Sequence, residues 1–318
     1  MSLQFDNINY SDNLKLELIS KGKVRDIYNL SNNNNEYILF NTSDRCSAFD
    51  YQICDINMKG NYLTKTAAFW FKKMGHICHN HYLDYYQNLL LVKKCKPIKL
   101  EFIVRGYITG SCWRAYSEGQ RVFCGVKLPD NLEKNQKFAK PIITPTTKDE
   151  HDAPISKEEI ICNNLLSPSQ LDYIYEKITR LFNEGSRICA EKGIILVDTK
   201  YEFGYDNDGY ICLIDEIHTP DSSRFWMKNS YDKYLENKTV NKIVNLDKDG
   251  VRNYLIDQNF LNNIKNSTDN NIELQIPTIS NNIKLKVQSA YSKFYSILTD
   301  ETSTISTYIN DIICLKKN

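Results

Sequence analysis

The chain has 318 residues, 42% of them hydrophobic, and 40 basic side chains against 39 acidic ones leave a net charge of +1. That is enough apolar chain for a large core in two lobes or domains. The near-neutral balance excludes a chain-wide electrostatic attraction to nucleic acid or to an anionic membrane, so any anion must be bound locally. The first residues, MSLQFDNINY, lack a basic segment followed by an apolar one, and no run of apolar residues is long enough to span a bilayer. The 10 cysteines are scattered without a CxxC pair, mostly within apolar runs, and read as reduced core thiols of a cytoplasmic protein.

In chain order, residues 14–19 and 24–30 alternate with period two around a turn at Ser20 to Lys23, and Tyr37 to Asn41 follows four consecutive asparagines, which predicts antiparallel strands. Leu63, Ala67, Trp70, Phe71 and Met74 fall at helical spacing before Gly75. His76, Cys78, His79 and His81 follow at once. They crowd four metal-ligating residues into six positions, unlike zinc sites assembled from separated pairs, and read as a helix-end loop. Residues 89–92 and 100–104 are short apolar runs. A helix is predicted over 168–192, with Ser167 as cap, Pro168 at the first position, a stripe of Leu171, Ile174, Tyr175, Ile178 and Phe182, and Gly193 as stop. Further helical patterns lie at 285–298 and 305–315.

Several stretches suit anions. Lys21, Gly22, Lys23 and Arg25 place a glycine and cations at a strand-to-strand turn, where exposed amides can approach phosphate. SDRCSAFD at 43–50 brings together Asp44, Arg45, Ser47 and Asp50. EFIVRGYITGS at 101–111 ends a strand near Arg105 and bends through Gly106 and Gly110 toward Ser111. TPTTKDEHDAPIS at 144–156 is too broken by proline to be regular and carries His151 and Asp152.

The segment 196–226, LVDTKYEFGYDNDGYICLIDEIHTPDSSRFW, carries a turn signal at Asp206 to Gly209 between two strand-like runs. Pairing Tyr205 with Tyr210 sets Glu202 opposite Leu213 and Lys200 opposite Asp215. Asp198, Lys200, Glu202 and Asp215 then share one face, and Tyr201, Phe203, Cys212 and Ile214 the other. Close carboxylates repel unless a cation lies between them, and Mg²⁺ is held in nucleotide sites by one or two carboxylates with phosphate oxygens. On the hairpin alone, a cross-strand Lys200–Asp215 pair on a solvated face is the more economical reading.

The ordered set GKVRDIY, SDRCSAFD, EFIVRGYITGS, TPTTKDEHDAPIS, ILVDTKYEFG, DEIHTPDSSRFW and DKDGVRNYL resembles the SAICAR synthetase family over about residues 18–255. The resemblance implies an α+β fold of antiparallel-sheet lobes flanked by helices with an ATP cleft between them, similar to ATP-grasp enzymes and protein kinases. It implies 1–92 as a nucleotide-covering lobe and 93–318 as a substrate- and metal-binding lobe. The implied reaction joins L-aspartate to carboxyaminoimidazole ribonucleotide (CAIR) with ATP and Mg²⁺, through an acyl phosphate, and no nucleic acid or membrane partner is implied. Carried over by position, Lys21, Gly22, Lys23 and Arg25 serve the ATP phosphates, and Leu91, Val92 and Lys93 lie near adenine. Glu202 and Asp215 bind Mg²⁺, and Lys200 stands near the reacting carboxylate. The ribonucleotide falls to Arg105, Gly110, Ser111, Ser223 and Arg224, and Asp44, Arg45, Ser47, Asp50, His151 and Asp152 line the substrates. A different ATP-dependent kinase or carboxylate–amine ligase would also use Glu202, Asp215 and Lys23 but does not need the whole set; a binding module without catalysis would release no phosphate.

Overall fold

The computed structural model describes residues 15–32, 35–148, 152–270 and 272–301. His151 and the helical pattern at 305–315 lie outside them. The chain divides into two compact units, Met1–Phe69, Leu83–Lys93 and Lys233–Asn318 in the first, Trp70–Tyr82 and Lys94–Asp232 in the second. The architecture is α+β with antiparallel sheets, as the alternating runs predict.

In the first unit, β1 (Lys15–Lys21), β2 (Arg25–Asn32) and β3 (Asn35–Thr42) form a meander. β4 (Arg45–Ala48) and β5 (Tyr51–Asp55) make a separate hairpin, and α1 (Lys59–Met74) follows. β6 (Tyr82–Tyr86) and β7 (Leu89–Lys93) complete a sheet of order β1-β2-β3-β7-β6. Leu30, Leu39 and Leu91 meet on one face of that sheet.

The second unit is built on β8 (Lys96–Tyr107), which leads into α2 (Gly110–Ser117), the two-residue strands β9 (Val122–Phe123) and β10 (Val126–Lys127), and β11 (Lys137–Thr147). After α3 (Lys157–Cys162) comes α4 (Pro168–Glu191), and then β12 (Ile194–Tyr205), β13 (Ile211–Ile214) and β14 (Ser223–Met227). The sheet runs β11-β8-β12-β13, with β14 also pairing β12. α4 forms as its sequence dictates. Ser167 accepts from Gln170 N–H while the Gln170 side chain accepts from Ser167 N–H, Pro168 opens the first turn, and Leu171, Ile174, Ile178 and Phe182 are buried. Gly193, with φ 68°, supplies the left-handed residue that ends it.

α5 (Lys228–Glu236), α6 (Asp249–Asp257), α7 (Phe260–Asn270) and α8 (Asn281–Thr299) close the described chain. Val251, Leu255, Phe260, Val287 and Tyr291 pack with Cys46, Ile56, Tyr62 and Leu63 in one core. That shared core is why residues beyond 232 group with the first unit, where the sequence reading draws a single boundary after residue 92. Cys46 in this core and Cys112 in a second apolar cluster are packing residues.

The β12–β13 hairpin differs from expectation by one residue. Glu202 pairs with Ile214 and Tyr205 with Ile211, so Tyr210 belongs to the loop. The Asp206 carboxylate accepts from the N–H groups of Asp208 (3.1 Å) and Tyr210 (2.8 Å) and holds this wider turn. The slip places Cys212 and Ile214 on the face of Glu202, not on the opposite one.

Candidate active site

One face of the β8–β12 pair carries two charged clusters. Glu101, Ile103 and Arg105 alternate onto it from β8, and Asp198, Lys200 and Glu202 from β12, with Glu101 paired to Glu202 and Arg105 to Asp198. Four residues of strand separate the ends, about 13 Å.

At the first end, the Lys200 ammonium reaches Glu101 Oε1 (3.2 Å), Asp215 Oδ2 (3.3 Å) and Glu202. Lys148, just past β11, also bonds Glu202 and lies 3.9 Å from Glu101. Asp215 arrives by an unexpected route. Strand register would turn it away from Lys200, but its φ of 65°, directly after β13, redirects the chain and returns the carboxylate to the cluster. Glu202 is 2% exposed, which makes its charge costly. Burial and the neighbouring Asp215 raise its carboxyl to about 7, against the pull of Lys200 and Lys148. Burial opposes the Lys200 ammonium, yet the surrounding carboxylates hold its affinity for the proton well above the ordinary value. The donors are carboxylate oxygens already gathered on a cation, the hard set that suits Mg²⁺.

At the second end, Arg224 Nη1 bonds Asp198 Oδ2 at 2.6 Å, and Arg105 Nε donates to Thr144 Oγ1 at 3.0 Å. Burial lowers the Arg105 guanidinium from its ordinary value and Asp198 opposes that. Gly110 (φ 57°) is required here, because a Cβ would stand 2.6 Å from Arg224 Nη2. Arg105, Ser111, Thr144 and Thr146 help line a cavity of ≈ 170 Å³. α2 opens at Gly110 with no side chain capping it, so its first N–H groups add to the positive field. Ser223 is buried and its hydroxyl donates to Thr199 Oγ1 (2.8 Å), a contact that holds β14 on β12.

In the first unit, Gly22 N–H donates to the Arg25 carbonyl at 2.7 Å, closing a tight turn that presents Lys21 and Lys23. Arg45 braces this turn from beneath. Its guanidinium donates to the carbonyls of Gly22 (3.1 Å) and Lys23 (3.4 Å) and pairs with Asp26 (2.6 Å). Asp44 accepts from the N–H groups of Met58 (3.1 Å) and Gly60 (3.0 Å), satisfying the start of α1. Asp50, on the β4–β5 turn, pairs with Lys23 at 2.6 Å, and Ser47 lies in β4 opposite Gln52. Leu91 and Val92 are buried in β7, with Lys93 at its end. Asp152 is exposed, with φ 38°.

The sequence profile of the family described as SAICAR synthetase matches residues 18–267. The chain belongs to the SAICAR synthetase family. A phosphoribosylaminoimidazole-succinocarboxamide synthase of Legionella pneumophila (strain Lens) is 38% identical over 288 residues, 89% of this chain and 88% of the relative. Its counterpart in Bacteroides fragilis is 45% identical over 244 residues, 75% of this chain and 76% of that one. A SAICAR synthase structure from Saccharomyces cerevisiae, complexed with SAICAR, is similar at TM-score 0.71 and 32% identity, covering 95% of this chain and 98% of that chain. SAICAR synthetases are ATP-dependent, ADP-forming ligases that join aspartate to CAIR in purine biosynthesis.

For a SAICAR synthetase chain, the sequence reading quotes motifs that contain Glu101 and Lys148 but gives neither of these two members of the first cluster a role. Glu101 shares the alternating face of Arg105, a signal present in the sequence. Lys148 stands beyond the end of β11, and only strand pairing brings it to Glu202. Among the described residues no helix is long and apolar enough to cross a membrane.

Proposed function

We propose that the two ends of this sheet face divide the ligation between them: the carboxylate–lysine end manages phosphoryl transfer, and the arginine end grips CAIR. The observation that carries this reading is the placement of both clusters on one face of β8 and β12, with Glu101 paired to Glu202 and Arg105 to Asp198. A carboxylate resists attack by an amine until one oxygen becomes a leaving group. Transfer of the γ-phosphate to the CAIR carboxylate gives an acyl phosphate and ADP; the neutral amine of aspartate adds to the carbonyl, and phosphate departs with the carboxylate oxygen.

Glu202 and Asp215 would hold Mg²⁺, with Glu101 beside them; the ion supplies positive charge against the ATP phosphates. Lys200 offsets charge on the reacting carboxylate, and Lys148 balances Glu202. Lys21, Gly22, Lys23 and Arg25 serve the nucleotide phosphates through turn amides and cations. Leu91 and Val92 have core side chains, so adenine contact near β7 falls to backbone and to Lys93. Arg105, Ser111 and Arg224 take the ribonucleotide phosphate, where planar guanidinium forks meet the start of α2. Asp44, Arg45 and Ser223 support these sites through the contacts described above, while Ser47, Asp50, His151 and Asp152 are assigned to substrate. The cytoplasm is the proposed compartment, where scattered cysteines without a CxxC pair stay reduced.

ADP release measured with one substrate omitted at a time tests the reading. ADP formation should require CAIR and Mg²⁺ and should become catalytic only with aspartate. ADP release that ignores CAIR contradicts it.

A further inference from the structure

The loop end of the β12–β13 hairpin gathers a second set of metal-ligating side chains, of different chemistry from the first. Residues 79–81 are tied to β13. Leu213 N–H donates to the His79 carbonyl (2.8 Å), His81 N–H donates to the Leu213 carbonyl (3.1 Å), and Asn80 bridges Leu213. Ligand atoms of His79, Asp206 and Cys212 consequently all lie within 4.8 Å of one another. Cys212 Sγ donates to Asp206 Oδ2 at 3.6 Å.

Gly204 lies between Cys95 and Cys212. It is paired with Cys212 on one side and Pro97 on the other, and a Cβ on it would stand 3.3 Å from Cys95 Cβ. Imidazole, carboxylate and one sulfur thus converge at the loop end of the hairpin, and Cys95, beside Gly204 on a separate stretch of chain, offers a second sulfur next to this group. The rest of the histidine-rich loop takes no part. The Cys78 thiol donates to the His79 carbonyl at 3.3 Å, and the ring of His81 is buried against Phe71.

We propose that His79, Cys95, Asp206 and Cys212 form a zinc site that staples the hairpin to the loop after α1. Nitrogen and sulfur donors with one carboxylate, four in number, are what zinc takes, whereas Mg²⁺ takes oxygen alone. Binding exchanges the two thiol protons for the ion, leaving two thiolates on Zn²⁺ with no change of oxidation state. The alternative, a redox pair of Cys95 and Cys212, needs a thiolate to start. It also needs an oxidant that the chain does not supply, while a coordinating divalent ion deprotonates a thiol outright. The staple acts on the chemistry through position. Glu202 precedes Asp206 on β12 and Asp215 follows Cys212 past β13, so the hairpin it fixes is the one that carries both carboxylates.

The full chain, stripped with a chelator and then titrated with Zn²⁺ in saturating Mg²⁺, should retain one zinc per chain after gel filtration and melt at higher temperature. Co²⁺ in its place should show thiolate charge-transfer and tetrahedral d–d bands. His79→Gln, at an exposed position that tolerates change, should weaken zinc by about tenfold or more. Cys95→Ser should remove part of the charge-transfer intensity. Asp215→Asn should leave zinc affinity unchanged, separating this site from the carboxylate cluster. The proposal is overturned if no zinc is retained, if retention ignores both His79→Gln and Cys95→Ser, or if it is lost in Asp215→Asn. A Cys95–Cys212 disulfide in protein that holds no zinc overturns it as well.

Discussion

At one end of the β8–β12 face, three carboxylates converge on two lysine ammonium groups; at the other, two arginines converge on one aspartate. Lysine brings a compact charge on a flexible stem, which can yield its carboxylates to a metal ion without backbone movement. Arginine brings a planar fork whose value lies in its orientation, and the fold spends specific features on that orientation: Thr144 on Arg105 Nε and the bare Cα of Gly110 beside Arg224. On the proposed division, the first end would exchange cations and the second would keep a fixed grip. Damage should follow that division.

The largest effect is expected from Asp215→Asn, which should lower kcat about 100-fold or more while leaving the melting temperature near that of the unaltered chain. Near-normal turnover in that variant at ordinary Mg²⁺ would remove Asp215 from the metal site. Gly110→Ala comes next. Its new methyl group both displaces the Arg224 guanidinium and strains a left-handed backbone, so kcat/KM for CAIR should fall by about tenfold to 100-fold with little change in KM for ATP. Arg224→Lys keeps the charge and loses the fork, and should raise KM for CAIR by about tenfold. Equal losses for ATP and CAIR would place Arg224 at the nucleotide.

A smaller effect tests a group that anchors the segment after Asp215. His218 is fully buried, takes a 2.5 Å hydrogen bond with the Tyr201 hydroxyl and packs edge-on to Trp70. Burial lowers its pKa from 6.5 to about 3. Between those values the unfolded chain binds a proton that the folded chain refuses, so stability is full above pH 6.5 and declines as pH falls toward 3. The slope is at most about 1.4 kcal/mol per pH unit. Denaturant unfolding at pH 7 and pH 5 should show a larger loss for the unaltered chain than for His218→Gln. Equal losses would mean that His218 is not held neutral.

Local signals were legible where the residues that make an element also cap it, as in α4, whose Ser167, Pro168 and Gly193 mark both ends. At the arginine end, Arg105 and Gly110 stood out because an arginine and a glycine are unusual at a strand end, whereas Arg224 was reached only through the family resemblance. The hairpin register was not. Its turn signal is common to loops of several lengths, and the choice was made by the Asp206 carboxylate bonding Tyr210 N–H. Glu101 and Lys148 were hidden for a different reason: their roles depend on pairing strands far apart in sequence, which no local pattern reports. The same holds for the helices after residue 232, whose apolar faces give no indication of which core they join. Arg45 shows another limit of local pattern, a charged residue in a quoted motif whose hydrogen bonds brace the adjacent turn.

The division of labour is tested most directly by the fate of oxygen. CAIR labelled with ¹⁸O in its carboxylate, turned over with ATP and aspartate, should deliver one labelled oxygen to the released phosphate, because the oxygen that accepts the phosphoryl group leaves with it. Phosphate free of that label would mean that water, not the carboxylate, receives the γ-phosphate, and would contradict the roles given to Lys200, Glu202 and Asp215.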